Sequence, residues 1–299
     1  MKRWLILSTV LIVGAVGYFF FYKKSEIVKP VITVAATAST EKAGGNKNIV
    51  LAYGKPKSAD ELKYETVNDL SLIADDIKSK AEAGDTVAQR IYGRMLEECQ
   101  HYSITHKTFR ADLDAMSQST VPFVNLNENI GLIVEKRCKN FTDGAPILSK
   151  EPYLWYGQAA LKKDAQSMAK IMSAVGIAKM TDQELKESID LIVASKDPEA
   201  FMAIANIMGE DNQSRIAVLG KYSGNRQSEY AWRLAACRLG ANCRAKSPLL
   251  INLCLYGGAR SACVGSSMEV VFQRDMFSPA DFEAVANLST GLINSLKNP

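Results

Sequence analysis

The stretch Ala81-Glu82-Ala83-Gly84-Asp85-Thr86-Val87-Ala88-Gln89-Arg90-Ile91-Tyr92-Gly93-Arg94-Met95-Leu96 decides the fold of this chain. Just before it, Leu70, Ile73, Ala74 and Ile77 recur at helical spacing. Within it, Val87, Ala88, Ile91, Tyr92, Met95 and Leu96 fall along one face of a second helix. Between the two runs stand Gly84, which suits the left-handed residue that closes a helix, and Asp85, whose carboxylate can accept from the first free N–H groups of the next. The spacing predicts an αα-hairpin with a very short turn.

Helix starts recur on both sides of that hairpin. Ser58-x-x-Glu61, Thr66-x-x-Asp69, Thr181-x-x-Glu184 and Ser278-Pro279-x-Asp281 each place a capping oxygen three residues before an acidic partner. The last of them opens an amphipathic helix with Phe282, Val285, Ala286, Leu288 and Leu292. Few segments alternate as strands do. The expected fold class is all-α: an N-terminal transmembrane helix followed by a helical-hairpin, repeat-like domain with disulfides.

The run Ala81-x-x-Gly84-Asp85-x-x-Ala88-Gln89, with Gly93 beyond it, resembles the Sel-like class of tetratricopeptide repeat. The resemblance implies stacked αα-hairpins that approach closely over small residues. Degenerate echoes lie at Trp155 to Met172, with Ala159, Ala160 and Asp164; at Asp197-Pro198-Glu199-Ala200; and at Trp232 to Ala245, with Ala235, Ala236, Gly240 and Asn242. The repeat turns are thereby expected at Gly84 and Asp85, Asp164, Asp197 and Asn242, at an irregular period. Lys163 and Lys196 stand where the turn glycine belongs, and the region from about 101 to 152 matches no copy. A non-repetitive helical domain gives the same fold class, because close helix packing calls for small residues in any case.

Trp4 to Tyr22, WLILSTVLIVGAVGYFFFY, has no charged residue and at helical rise matches a hydrocarbon core of about 30 Å. Its aromatic end suits the membrane-water boundary. Small residues fit for signal cleavage come no nearer than Ala36-Thr37-Ala38, so the helix is expected to stay as an anchor. The expected division is an anchor over 1–24, a flexible tether over 25–57 rich in Ala, Thr, Gly, Lys and Val, and an all-α extracytoplasmic domain over 58–299. The formal charge of +4 is carried by Lys2, Arg3, Lys23 and Lys24 beside the apolar stretch, which leaves the body neutral. A neutral body of mixed charges offers no clustered basic surface for nucleic acid.

Basic residues flank the apolar stretch on both sides and do not choose an orientation. The cysteines do: six of them, an even number, without C-x-x-C spacing, fit disulfides in an oxidising compartment. An inner-membrane protein with a single span and a periplasmic body follows. The expected pairings are Cys99 with Cys138, and two within Cys237, Cys243, Cys254 and Cys263, where local closure favours Cys237 with Cys243 and Cys254 with Cys263. The segment Trp232-x-Leu234-Ala235-Ala236-Cys237-x-Leu239-Gly240-x-x-Cys243 also resembles the end of membrane-anchored envelope proteins of gammaproteobacteria, which implies the same compartment.

Chemistry is sparsely signalled. Cys99, His101, His106 and Cys138 include both histidines of the chain, but their spacing is not that of a zinc site, and a disulfide explains the cysteines; no metal site and no cofactor is expected. The acidic pairs Asp75-Asp76 and Glu97-Glu98 point about 100° apart on a helix and read as solvated faces rather than catalytic carboxylates. No serine-hydrolase, zinc-peptidase or phosphate-loop pattern is present, so no catalytic residue is assigned. The expected function is protein-protein interaction with an unidentified envelope protein, through a concave face to which Tyr92, Tyr153, Trp155, Tyr156, Tyr230 and Trp232 are candidates. A peptidoglycan-directed hydrolase is the alternative.

Overall fold

A computed structural model of the chain describes residues 56–111, 124–251 and 266–296. These all belong to the second of two compact units, Val50–Pro299. Trp4–Tyr22, nearly all of the tether, Cys254 and Cys263 lie outside the described residues. No helix among the described residues is long and apolar enough to cross a membrane.

Every regular element among the described residues is helical. In chain order they are α1 (Ala59–Thr66), α2 (Ser71–Glu82), α3 (Thr86–Thr105), α4 (Val124–Thr142), α5 (Glu151–Leu161), α6 (Ala165–Val175), α7 (Asp182–Ser195) and α8 (Pro198–Ile204). A 3-10 segment, Glu210–Arg215, leads into α9 (Ile216–Leu219), followed by α10 (Arg226–Leu239), α11 (Met268–Val271), a π-helical turn Phe272–Met276, and α12 (Pro279–Ser295).

Three of the four capping pairs read from the sequence are in place. Ser58 with Glu61 and Thr181 with Glu184 form reciprocal capping boxes, and Ser278 accepts from the Asp281 N–H. The fourth is corrected. Thr66 ends α1, its hydroxyl donating to the Leu62 carbonyl, and Asp69 itself accepts from the Ser71 N–H to start α2. Val67, extended at the α1 C-cap, and a bend at Asn68 interrupt the helix directly after Thr66.

The hairpin of α2 and α3 turns as its residues dictate. Gly84 takes φ +92°, the Asp85 N–H returns to the Lys80 carbonyl, and the Asp85 carboxylate accepts from the Ala88 N–H. The α5–α6 turn repeats this with lysine in place of glycine: Lys163 has φ +62°, the Asp164 N–H reaches the Ala159 carbonyl, and Asp164 caps Ser167. At the α7–α8 turn Lys196 has φ +50° and Asp197 caps Glu199 and Ala200. The lysines therefore occupy the left-handed position without ending the pattern. Asn242 does not: α10 closes at Gly240, φ +117°, no helix starts at Asn242, and its side-chain amide donates to Glu65 Oε2 at 3.4 Å.

Helices pack largely on their neighbours in chain order. The strongest associations run α2 on α3, α3 on α5, α5 on α6, α6 on α8, α8 on α10 and α10 on α12. The stretch that matched no repeat copy supplies α4, which lies against α2 and α3, while α7 lies against α6 and α8. One continuous core runs through the series, with Leu70, Ile91, Met95, Phe201 and Phe272 fully buried. The α3–α5 contact is close at Gly93, where a β-carbon would stand 2.9 Å from the Tyr156 ring and 3.1 Å from the Pro152 carbonyl oxygen.

Among the described residues, two disulfides fasten this body. Cys99 of α3 is joined to Cys138 of α4, and Cys237 of α10 to Cys243 after its end. Beside the first, Arg137 is buried against Glu98, donates to the backbone carbonyls of Tyr64 and Val67, and gives its own carbonyl to the Leu70 N–H. Helix α4 thus locks the passage from α1 to α2.

Candidate functional site

Helices α3, α6, α8 and α10 each send at least one charged side chain toward a common cleft of about 340 Å³. On α3, helical spacing puts Arg94, Glu97 and Glu98 on adjacent sides of the same turn. Lys170 and Ser173 come from α6, Glu199, Met202 and Ala203 from α8, Arg233 from α10, and Tyr64 and Tyr153 from α1 and α5. Pro248 and Leu249 close one side with apolar surface.

Most of the carboxylates are engaged. Glu97 accepts from the Tyr156 hydroxyl at 2.6 Å and from Lys170 Nζ at 2.8 and 2.9 Å. Burial alone would raise the Glu97 pKa, but the Lys170 ammonium overrides it and holds the carboxyl below the usual range. Glu98 accepts from the Tyr64 hydroxyl at 2.8 Å and pairs with Arg137. Burial and the Glu98 charge together push the Tyr64 phenol far above its ordinary value, so it stays a neutral donor. The same two causes, burial and a neighbouring carboxylate, here Glu97, keep Tyr156 protonated.

Arg94 and Glu199 are held differently. The Arg94 guanidinium lies over the Tyr64 ring, 4.7 Å from its centroid, and 3.5 Å from Glu199 Oε2. Burial would lower its pKa, yet the Glu199 carboxylate raises it and keeps the guanidinium charged. Glu199 is 9% exposed, and its Oε1 is buried with no hydrogen-bond partner among the described residues.

The acidic pair Glu97-Glu98 is therefore not a solvated helix face, because Arg137 and Lys170 bring cations to both members; Asp75 and Asp76 are exposed as expected. Of the aromatic candidates only Tyr153 lines the cleft; Tyr156 and Trp232 are core, and Tyr92, Trp155 and Tyr230 pack half-buried against it. The repeat-turn residues Gly84, Asp85, Asp164, Asp197 and Asn242 do not line it. Cys99 and Cys138 are consumed by their disulfide, His106 Nδ1 lies 3.0 Å from the Ser103 carbonyl oxygen, and no metal-binding group of three ligands exists among the described residues. Arg94, Lys170, Glu199 and Arg233 were not singled out by sequence reasoning; each is an ordinary charged residue until its helix is placed.

No family model matches the chain, and neither a curated protein nor a solved structure shows significant similarity to it.

Proposed function

We propose that the helical body is a protein-interaction module, held at the inner membrane by Trp4–Tyr22 with the body in the periplasm, and that the cleft receives a segment of an envelope protein. The observation that carries this reading is the composition of the cleft: Tyr64, Tyr153, Arg94, Arg233 and Met202, each from a different helix, around a small concavity. Tyrosine, arginine and methionine are the residue types enriched where proteins bind proteins. The disulfides favour an oxidising compartment, and the uncharged run at the N-terminus favours the anchor.

The hydrolase alternative has less support. A glycosidase general acid needs a carboxyl whose pKa is raised, whereas Glu97 is lowered by Lys170 and Glu98 is spoken for by Arg137 and Tyr64.

The test compares affinity purification from solubilised membranes with the full-length wild type and with Ala174→Trp, which fills the cleft from an exposed position. A specific partner retained by the wild type and lost by the variant supports the module. Clearing of peptidoglycan by the purified chain in a zymogram overturns it in favour of the hydrolase.

A further inference from the structure

Most formal charges on the cleft wall make a short contact with an opposite partner: Lys170 with Glu97, Glu98 with Arg137, and Arg233 with Glu229 at 2.7 Å through one Nη, although the buried Arg233 Nε has no partner among the described residues. Arg94 and Glu199 approach only to 3.5 Å, longer than a charge-assisted hydrogen bond, and the Arg94 guanidinium makes no hydrogen bond among the described residues. Glu199 keeps an unpartnered buried oxygen. Unused donors and an unused acceptor therefore sit side by side in the same cleft.

That pairing selects the charge of the occupant. An anion approaching Arg94 faces Glu199 and Glu97, and a cation approaching Glu199 faces Arg94. A neutral group that carries an acceptor and a donor a bond or two apart satisfies both at once. The primary amide is such a group: its carbonyl and the N–H syn to it share one edge, so the carbonyl accepts from the guanidinium while that N–H donates to the carboxylate, whereas in a trans peptide the two point opposite ways. Met202, Ala203 and Leu249 add an apolar wall beside the pair, suited to the side chain next to that amide.

We propose that Arg94 and Glu199 together recognise the neutral primary amide of an asparagine or glutamine side chain on a partner segment, with a neighbouring apolar side chain against Met202 and Leu249. This rests on the interaction reading above and specifies what the cleft reads. Binding through a net-neutral pair is weakly dependent on salt, unlike binding of an acidic or basic tail.

The experiment titrates the full-length chain with three probes followed by ligand-observed NMR: isovaleramide, methyl isovalerate, which lacks the donor N–H, and the isovalerate anion. The amide should bind, the ester about 3- to 10-fold more weakly for the loss of one hydrogen bond, and the anion more weakly than the amide. Glu199→Met should bring amide and ester to equal affinity. Glu199→Gln keeps an acceptor and the packing, so it should keep the preference for amide over ester while raising affinity for the anion. Equal binding of ester and amide by the wild type, tighter binding of the anion, an anion affinity unmoved by Glu199→Gln, or no saturable binding of any probe overturns the proposal. A partner still lost on Ala174→Trp in that event leaves the interaction module standing and removes amide recognition alone.

Discussion

Asp164, the residue that caps α6, places its Oδ2 3.2 Å from Nε of Arg90, a side chain of α3 that is 2% exposed. The same guanidinium donates from Nη1 to Glu61 Oε1 at 2.9 Å, so one buried cation joins α1, α3 and the turn of the second hairpin. The next turn repeats the relationship with a neutral donor: Gln166 Nε2 of α6 reaches both carboxylate oxygens of Asp197 at 2.9 and 3.0 Å. Capping aspartates thus serve two helices at once, starting their own and binding an earlier one, α3 for Asp164 and α6 for Asp197.

Removing one member of a buried ion cluster leaves the others desolvated without compensation, which costs about 3–5 kcal/mol. Arg90→Met should therefore lower stability by about that amount in urea unfolding. Asp164→Asn, which keeps a capping oxygen and loses only the charge, should cost less. A stability of Arg90→Met within about 0.5 kcal/mol of wild type would show that the cluster does not hold the hairpins together.

The left-handed lysines set up a second comparison. A non-glycine residue at positive φ costs about 1–2 kcal/mol, part of which glycine gives back through its greater unfolded freedom. Lys163→Gly and Lys196→Gly should each stabilise by a few tenths to about 1 kcal/mol. Gly84→Val should destabilise more than Ala83→Ser, since only the former meets φ +92°. Thermal unfolding of the four variants measures all of these; loss of stability on Lys163→Gly would contradict the turn geometry.

Disulfide stabilisation grows with the loop closed. Cys99 and Cys138 are separated by 39 residues and Cys237 and Cys243 by 6. Chain entropy assigns the long loop about 4 kcal/mol and the short one about 2 kcal/mol. Replacing the first pair by serine should lower the unfolding midpoint more than replacing the second, and equal losses would place the long bridge in a region that opens locally.

Acid should act through Glu61. Burial would raise its pKa, but Arg90 and the Ser58 backbone N–H bring it down to about 2. A folded-state pKa below the unfolded value contributes stability that is present above about pH 4.5 and is lost as pH falls toward 2. Glu61→Gln should flatten the stability-pH curve over that interval, measured by urea midpoints. A curve as steep as that of wild type would move the acid-sensitive group elsewhere.

What was legible in the sequence was local. Gly84-Asp85, Ser58 with Glu61 and Thr181 with Glu184 act within a turn of themselves, and each stands as its pattern required. Asn242 was misassigned because the Ala-rich run before it is closed two residues earlier by Gly240. The cleft was illegible for a different reason. Glu97 finds Lys170 at a separation of 73 residues and Glu98 finds Arg137 at 39, so nothing near the acidic pair marks it as buried. Arg94 and Glu199 come together only once α3 and α8 have each packed against α6 or its partner α5.

The most direct test of the interaction cleft is photo-crosslinking in intact cells from full-length chains carrying a photoreactive residue in place of Ala174 or Asn206, which line the cleft, and in place of Glu187, exposed on α7 and outside it. The account predicts one discrete adduct, shared by the two cleft positions and absent at Glu187, that disappears when Arg94→Met is added to the Asn206 probe. Adducts formed equally from Glu187, or an Asn206 adduct indifferent to Arg94→Met, would contradict it.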